Sequence, residues 1–142
     1  MGEGDSVPAR EIVLAPVSGD QHSRSDLCRA AMWGEDFVAN AFGNATDFTL
    51  PMQHYITRNA WGDVWQRSGL DLKTRSQITV AMLTALGKQH ELKGHVRGAL
   101  NNGVTPEEIQ ELLLHAAVYC GVPSAVEAFR SAAEVIDAPE KT

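Results

Sequence analysis

Glu91 and His95 stand four residues apart in the segment Gly87-Lys-Gln-His-Glu-Leu-Lys-Gly-His-Val-Arg. On a helix that spacing puts a carboxylate and an imidazole on one face, where they can share a proton. Ala85-Leu86 and Ala99-Leu100 flank the segment, so both groups lie at the margin of an apolar stripe. Partial burial there would shift the pKa of either group, as general acid–base chemistry requires. A solvated ion pair has the same spacing, so the rest of the chain must decide between the two. No third ligand accompanies Glu91 and His95 at a plausible spacing, so no metal site is expected. Cys28 and Cys120 form no metal or redox motif. His22, His54 and His90 have no constellation around them.

The pair needs helices to position it, and the chain supplies them from Ser23 onward. Residues 1–21 carry scattered Gly and Pro without a sustained period and read as an N-terminal arm. Residues 22–142 read as one all-α domain, a bundle of about six helices. The first runs from Asp26 to Phe42 with a break near Gly34, and a turn follows at Asn44-Ala-Thr-Asp. Pro51 opens a helix to Trp65, with Met52, Tyr55, Ile56, Ala60 and Trp61 at roughly helical spacing. Asp71 is a candidate N-cap for a helix whose interior, Ile78 to Leu86, is apolar on nearly every side. That helix is expected to be buried all round and to close at Gly87.

Gln89 to Asn102 carries the Glu91/His95 pair and ends at Gly103 as a left-handed cap. Thr105-Pro-Glu-Glu is the clearest local signal: a capping box with Pro106 at the first helical position. Its helix reaches Cys120, with Ile109, Leu112, Leu113, Ala116 and Cys120 on one face, while Leu114 and Val118 point elsewhere. Gly121 stops it, and Pro123 starts a last helix to Ile136. Helices apolar on two faces cannot all be covered by one chain of 142 residues, so a homo-oligomer is expected.

Composition narrows the partners. The chain is 44% apolar and 21% charged, ordinary for a soluble domain. A net charge of −6 without a Lys/Arg run argues against nucleic acid. No apolar run reaches the roughly 18 residues that cross a bilayer. The acidic start, Met1-Gly-Glu-Gly-Asp, lacks a signal pattern, so a cytoplasmic protein is expected.

Several stretches then fall together in fixed order. They are Asn44-Ala-Thr-Asp-Phe, Ile56-Thr-Arg-Asn-Ala-Trp-Gly-Asp-Val-Trp, Gly69-Leu-Asp-Leu-Lys-Thr-Arg-Ser and the Glu91–His95 segment. Arg97-Gly-Ala-Leu-Asn-Asn-Gly-Val-Thr-Pro-Glu-Glu-Ile and Tyr119-Cys-Gly-Val-Pro complete the series. Over roughly residues 24–136 the chain resembles the γ-carboxymuconolactone decarboxylase family. The resemblance implies the helical fold of alkylhydroperoxidase D-like proteins, assembled as trimers or hexamers. It also implies a cofactor-free decarboxylation in aromatic catabolism, taking 4-carboxymuconolactone to 3-oxoadipate enol-lactone. The peroxidase branch has Cys-x-x-Cys upstream of a histidine. If His95 is that histidine, Lys88 and Glu91 occupy the cysteine positions, which excludes thiol redox chemistry in that form. Trp33, Ala30, Asn59 and Val126 depart from the family pattern and could line the substrate pocket.

The family substrate is a butenolide with a carboxylate on its quaternary carbon and an acetate arm. Losing carbon dioxide pushes an electron pair through the ring alkene onto the lactone oxygen, so the lactone is itself the electron sink. The protein must anchor the arm, stabilise the oxyanion and protonate the carbon beside the carbonyl. Arg58, Arg75 and Arg97, each within a resembling stretch, are the candidates to grip the arm. The alternative for each is a structural or surface ion pair. His95 is the expected proton donor or oxyanion partner, with Glu91 setting its tautomer and charge. His115, or Tyr119 one turn beyond it, could supply a second donor. Trp61 could wall the substrate, although Trp61 and Trp65 suit a core equally. Other readings are a biosynthetic decarboxylase or cyclase acting on a bulkier enolisable acid, and a non-catalytic helical binding oligomer.

Overall fold

A computed structural model describes residue 25, residues 28–30 and residues 32–139; the expected N-terminal arm lies outside the described residues. These residues form an all-α fold. Residues 28–30 and 32–33 are helical, and Gly34 breaks the run at a φ of 91°, a left-handed value that favours glycine. The elements that follow are α1 (Glu35–Gly43), α2 (Leu50–Tyr55), a π-helix, π1 (Ile56–Val64), α3 (Leu72–Leu86), α4 (Gln89–Asn101), α5 (Pro106–Cys120) and α6 (Val122–Ile136).

The expected boundaries have visible causes. The Asp71 carboxylate accepts the Thr74 backbone N–H at 2.7 Å, and Gly87 closes α3 at φ 69°. Thr105 and Glu108 form the full capping box: Oγ1 of Thr105 accepts the Glu108 N–H, and the Glu108 carboxylate accepts that of Thr105. Lys73 on α3 reaches the same Glu108 carboxylate at 2.9 Å and ties α3 to α5. Lys73 and these hydrogen bonds hold that carboxyl below the usual range. One helix expected through Trp65 instead unwinds. The chain turns from α into π winding at Ile56, and the Trp65 N–H bonds Ala60 O at 2.8 Å, five residues back.

Helices α3 to α6 pack pairwise around Val80, Leu92, Val96, Ala99, Val104, Ile109, Leu113, Ala128 and Ala132. The helical residues before Gly34 lie against α4. Gly94 and Gly98, four apart on α4, leave room for Trp33 and Met32 respectively: a Cβ on Gly94 would fall 2.0 Å from Trp33 Cζ3. The Asn101 side chain fixes the approach by donating to Met32 O at 2.8 Å.

Helix α3 departs from expectation. It is not buried all round: Ile78, Met82 and Leu86 form a bare stripe four residues apart, with Met82 59% exposed. Val80 and Thr84 face the core instead. Leu114 and Val118 do point away from the core, as their spacing implies, whereas Cys120 is exposed although it shares a face with Ile109 and Leu113; Met52 and Tyr55 are exposed as well.

Candidate active site

The site is organised by four side chains at a spacing of four residues, Gln53, Thr57, Trp61 and Trp65, which run from α2 through π1. Opposite them, the helical residues before Gly34 present Arg29 and Trp33, also four apart, and α4 presents His95.

His95 is enclosed by aromatic rings. The Trp33 ring stands edge-on to the imidazole at 4.7 Å between centroids, and Trp65 stacks over it at 6.4 Å. Trp61, 4% exposed, packs on Trp65 at 4.9 Å, and Phe37 stacks on Trp33 at 4.8 Å. Burial in this apolar shell penalises the imidazolium and pushes the His95 pKa down to about 4, against a smaller upward pull from the Glu91 charge. His95 is therefore uncharged near neutrality. Three nitrogens in this shell, Nδ1 of His95 and Nε1 of Trp33 and Trp61, are buried without a hydrogen-bond partner. A buried donor left unpaired costs about 1–3 kcal/mol, a sign of a ligand site when several gather.

Arg29 lies one helical turn from Trp33 and is 5% exposed. Its guanidinium donates to Gln53 Oε1 at 3.0 Å and to Thr57 Oγ1 at 3.5 Å, and covers the Phe42 ring at 5.8 Å. A guanidinium presents a fixed fork of N–H donors, a geometry that suits a carboxylate.

The other expected site residues lie elsewhere. Glu91 is exposed in the first turn of α4, where its charge complements the helix N-terminus. It acts on His95 through charge, so the shared proton and the fixed tautomer are not seen. Arg97 is exposed and donates to Val135 O at 3.0 Å, satisfying a terminal carbonyl of α6. Arg75 donates to Arg67 O at 3.1 Å, and Arg58 is exposed. His115 packs against Tyr119 on the outside of α5, with Tyr119 77% exposed. The surface depression at His115 is lined by Glu107, Glu108 and Glu111, an unfavourable setting for an anion. Trp61 alone of the expected binding residues joins the His95 shell. Among the four departures from the family pattern, Trp33 contacts His95, while Asn59 donates to Tyr55 O and Val126 is exposed. Among the described residues no three His, Cys, Asp or Glu side chains gather as a metal site. No helix among them is long and apolar enough to cross a membrane.

Sequence reasoning passed over Arg29 and undervalued Trp33. The signal was present: Arg29/Trp33 and Gln53/Thr57/Trp61/Trp65 share one spacing, and Gly94 marks a close approach.

The Carboxymuconolactone decarboxylase family model matches residues 51–134. The chain belongs to that family. It is 44% identical to the 4-carboxymuconolactone decarboxylase of Acinetobacter baylyi over 117 residues, 80% of this chain and 87% of the relative. It is 54% identical to the nitrosuccinic acid decarboxylase of Metarhizium robertsii over 100 residues, 70% of each chain. Both relatives are decarboxylases, and this family member is a carboxy-lyase by class.

Proposed function

We propose that the protein removes carbon dioxide, without a cofactor, from an acid whose leaving carboxylate sits on a carbon bonded to an electron sink and an acetate arm. The observation that carries this reading is the partly buried, uncharged His95 inside its indole shell, whose Trp33 lies one helical turn from the buried Arg29. The acids named for the two relatives share that carbon: in each it bears a carboxylate and a –CH2–COO⁻ arm. They differ in the sink, an unsaturated lactone in one and a nitro group in the other.

Arg29 holds the arm. The ring shell faces the leaving carboxylate and offers it no charge, which avoids stabilising the ground state. The bond to that carboxylate breaks, its electron pair moves into the sink, and a proton then adds to carbon. The growing oxyanion raises the proton affinity of His95, which takes up a proton from solvent as charge develops and passes it to carbon. The Glu91 charge adds to that affinity. Outward-facing His115 and Tyr119 take no part.

The first substrate is 4-carboxymuconolactone, giving 3-oxoadipate enol-lactone. A second reading, nitrosuccinic acid giving 3-nitropropionic acid, is favoured by the 54% identity to the enzyme of that name. The bare stripe Ile78–Met82–Leu86 is covered by further copies of the chain, in a trimer or hexamer. Offering each acid to the purified protein and following carbon dioxide release tests the assignment. Turnover of neither acid by the folded protein would remove it. His95→Ala with kcat/KM unchanged would remove the role of His95.

A further inference from the structure

The indole N–H groups of Trp33 and Trp61 are buried and have no acceptor. An indole nitrogen can only donate, so what each lacks is an acceptor. The rings are linked through one shell: Trp33 to His95, His95 to Trp65, and Trp65 to Trp61. Their positions are built in from two sides. The missing side chain of Gly94 admits Trp33, and π winding between Ile56 and Val64 carries Trp61, a kind of irregularity that often marks functional sites.

We propose that the Trp33 and Trp61 N–H groups are catalytic donors that hold the sink oxygens as carbon dioxide departs, a role resting on the decarboxylase reading above. The chemistry of the step selects such donors. When the carbon–carboxylate bond breaks, its electron pair leaves a negative charge on a lactone or nitro oxygen, carbon dioxide departs, and one proton later adds to carbon. A neutral donor bonds the uncharged sink weakly and the charged sink strongly, so its contribution grows toward the transition state. Fixed N–H dipoles in an apolar shell need little reorganisation as charge appears. Arg58 and Arg97 are exposed; Arg75 donates through Nη2 to Arg67 O, and its buried Nε has no partner.

Protein carrying ¹⁵N-labelled tryptophan is titrated with propionate 3-nitronate, a delocalised oxyanion with an acetate arm, and separately with 3-nitropropionate, its carbon-protonated form. The expected result is that two indole N–H resonances move downfield with the nitronate and far less with the nitro acid. Trp33→Phe and Trp61→Phe, which keep a ring and remove the N–H, are each expected to lower kcat about 100-fold with little change in KM. Nitronate binding with both resonances unmoved would overturn the proposal. So would wild-type kcat in both folded variants, or failure to bind nitronate in a protein that decarboxylates either acid. If a variant does not fold, the resonances of the unaltered protein decide. Absence of both turnover and binding removes the decarboxylase reading itself, and the donor pair falls with it.

Discussion

Acidification is expected to destabilise this protein through His95 over a defined window. The ordinary histidine pKa is about 6.5, and burial holds that of His95 at about 4 in the folded chain. As pH falls, the unfolded chain therefore takes up this proton first, and the equilibrium shifts toward unfolding. The contribution is complete above about pH 6.5 and is lost down to about pH 4. With those two values, linkage gives a loss of about 2 kcal/mol by pH 5 and about 3 kcal/mol by pH 4. Other groups titrate over the same range, so the decisive quantity is a difference. Guanidinium unfolding at pH 7, 6, 5 and 4 is to be compared between the unaltered chain and His95→Gln. The variant is expected to lack this part of the pH dependence, whatever its stability at pH 7. Carboxylates such as Asp71, held below its usual range by its capping hydrogen bond, and Glu108, held there by Lys73 and its capping hydrogen bond, are common to both proteins and cancel. Parallel pH profiles, or an imidazole that titrates by NMR within one unit of 6.5, would refute the buried-neutral assignment.

Gly94→Ala places a Cβ into the Trp33 ring and is expected to cost about 1–3 kcal/mol in chemical unfolding, with Trp33→Ala in the same chain recovering part of it. Thr105→Ala removes the N-cap acceptor of α5 and should lower stability by about 1 kcal/mol without changing kcat, measured by unfolding and turnover together. Arg29→Gln is expected to raise KM at least about tenfold, whereas Arg97→Ala, which loses a contact to the end of α6, should leave it within about threefold. Met82→Glu puts a charge into the bare stripe and is expected to shift sedimentation toward smaller species.

The fold was legible wherever local chemistry acts alone. Asp71, Gly87, Gly103 and the Thr105–Glu108 box each satisfy or end a helix through groups within a few residues, so the sequence displays them directly. Helix α3 is covered only on its Val80 and Thr84 side, because an all-round apolar pattern does not say which face the chain packs against. The π winding after Ile56 was not legible, since the α and π periods differ too little to separate over nine residues. His95 stands out in the sequence through its four-residue spacing from Glu91 at the margin of an apolar stripe. The identity of its shell was hidden, because Trp33 and Trp65 reach it from segments far away in the chain. Glu91 shows the converse: correct spacing on one helix did not produce a hydrogen-bonded pair once α4 turned that residue to solvent.

The distribution of charge in the site explains how decarboxylation can proceed beside a basic residue. A cation placed against the leaving carboxylate would hold the charge that the reaction must move, and the barrier would rise with every increment of ground-state affinity. Here the fixed cation, Arg29, sits with Gln53 and Thr57, one turn from the ring shell, and the residue nearest the rings is a histidine that burial keeps neutral. The proposed site therefore binds substrate through the arm that does not react and leaves the reacting carboxylate poorly solvated. As the charge moves onto the sink oxygen, the proposed donors there bind it more strongly and a proton on His95 becomes more stable. The same separation accommodates either a lactone or a nitro sink, because the arm fixes the reacting carbon and the donors need only an oxygen within reach.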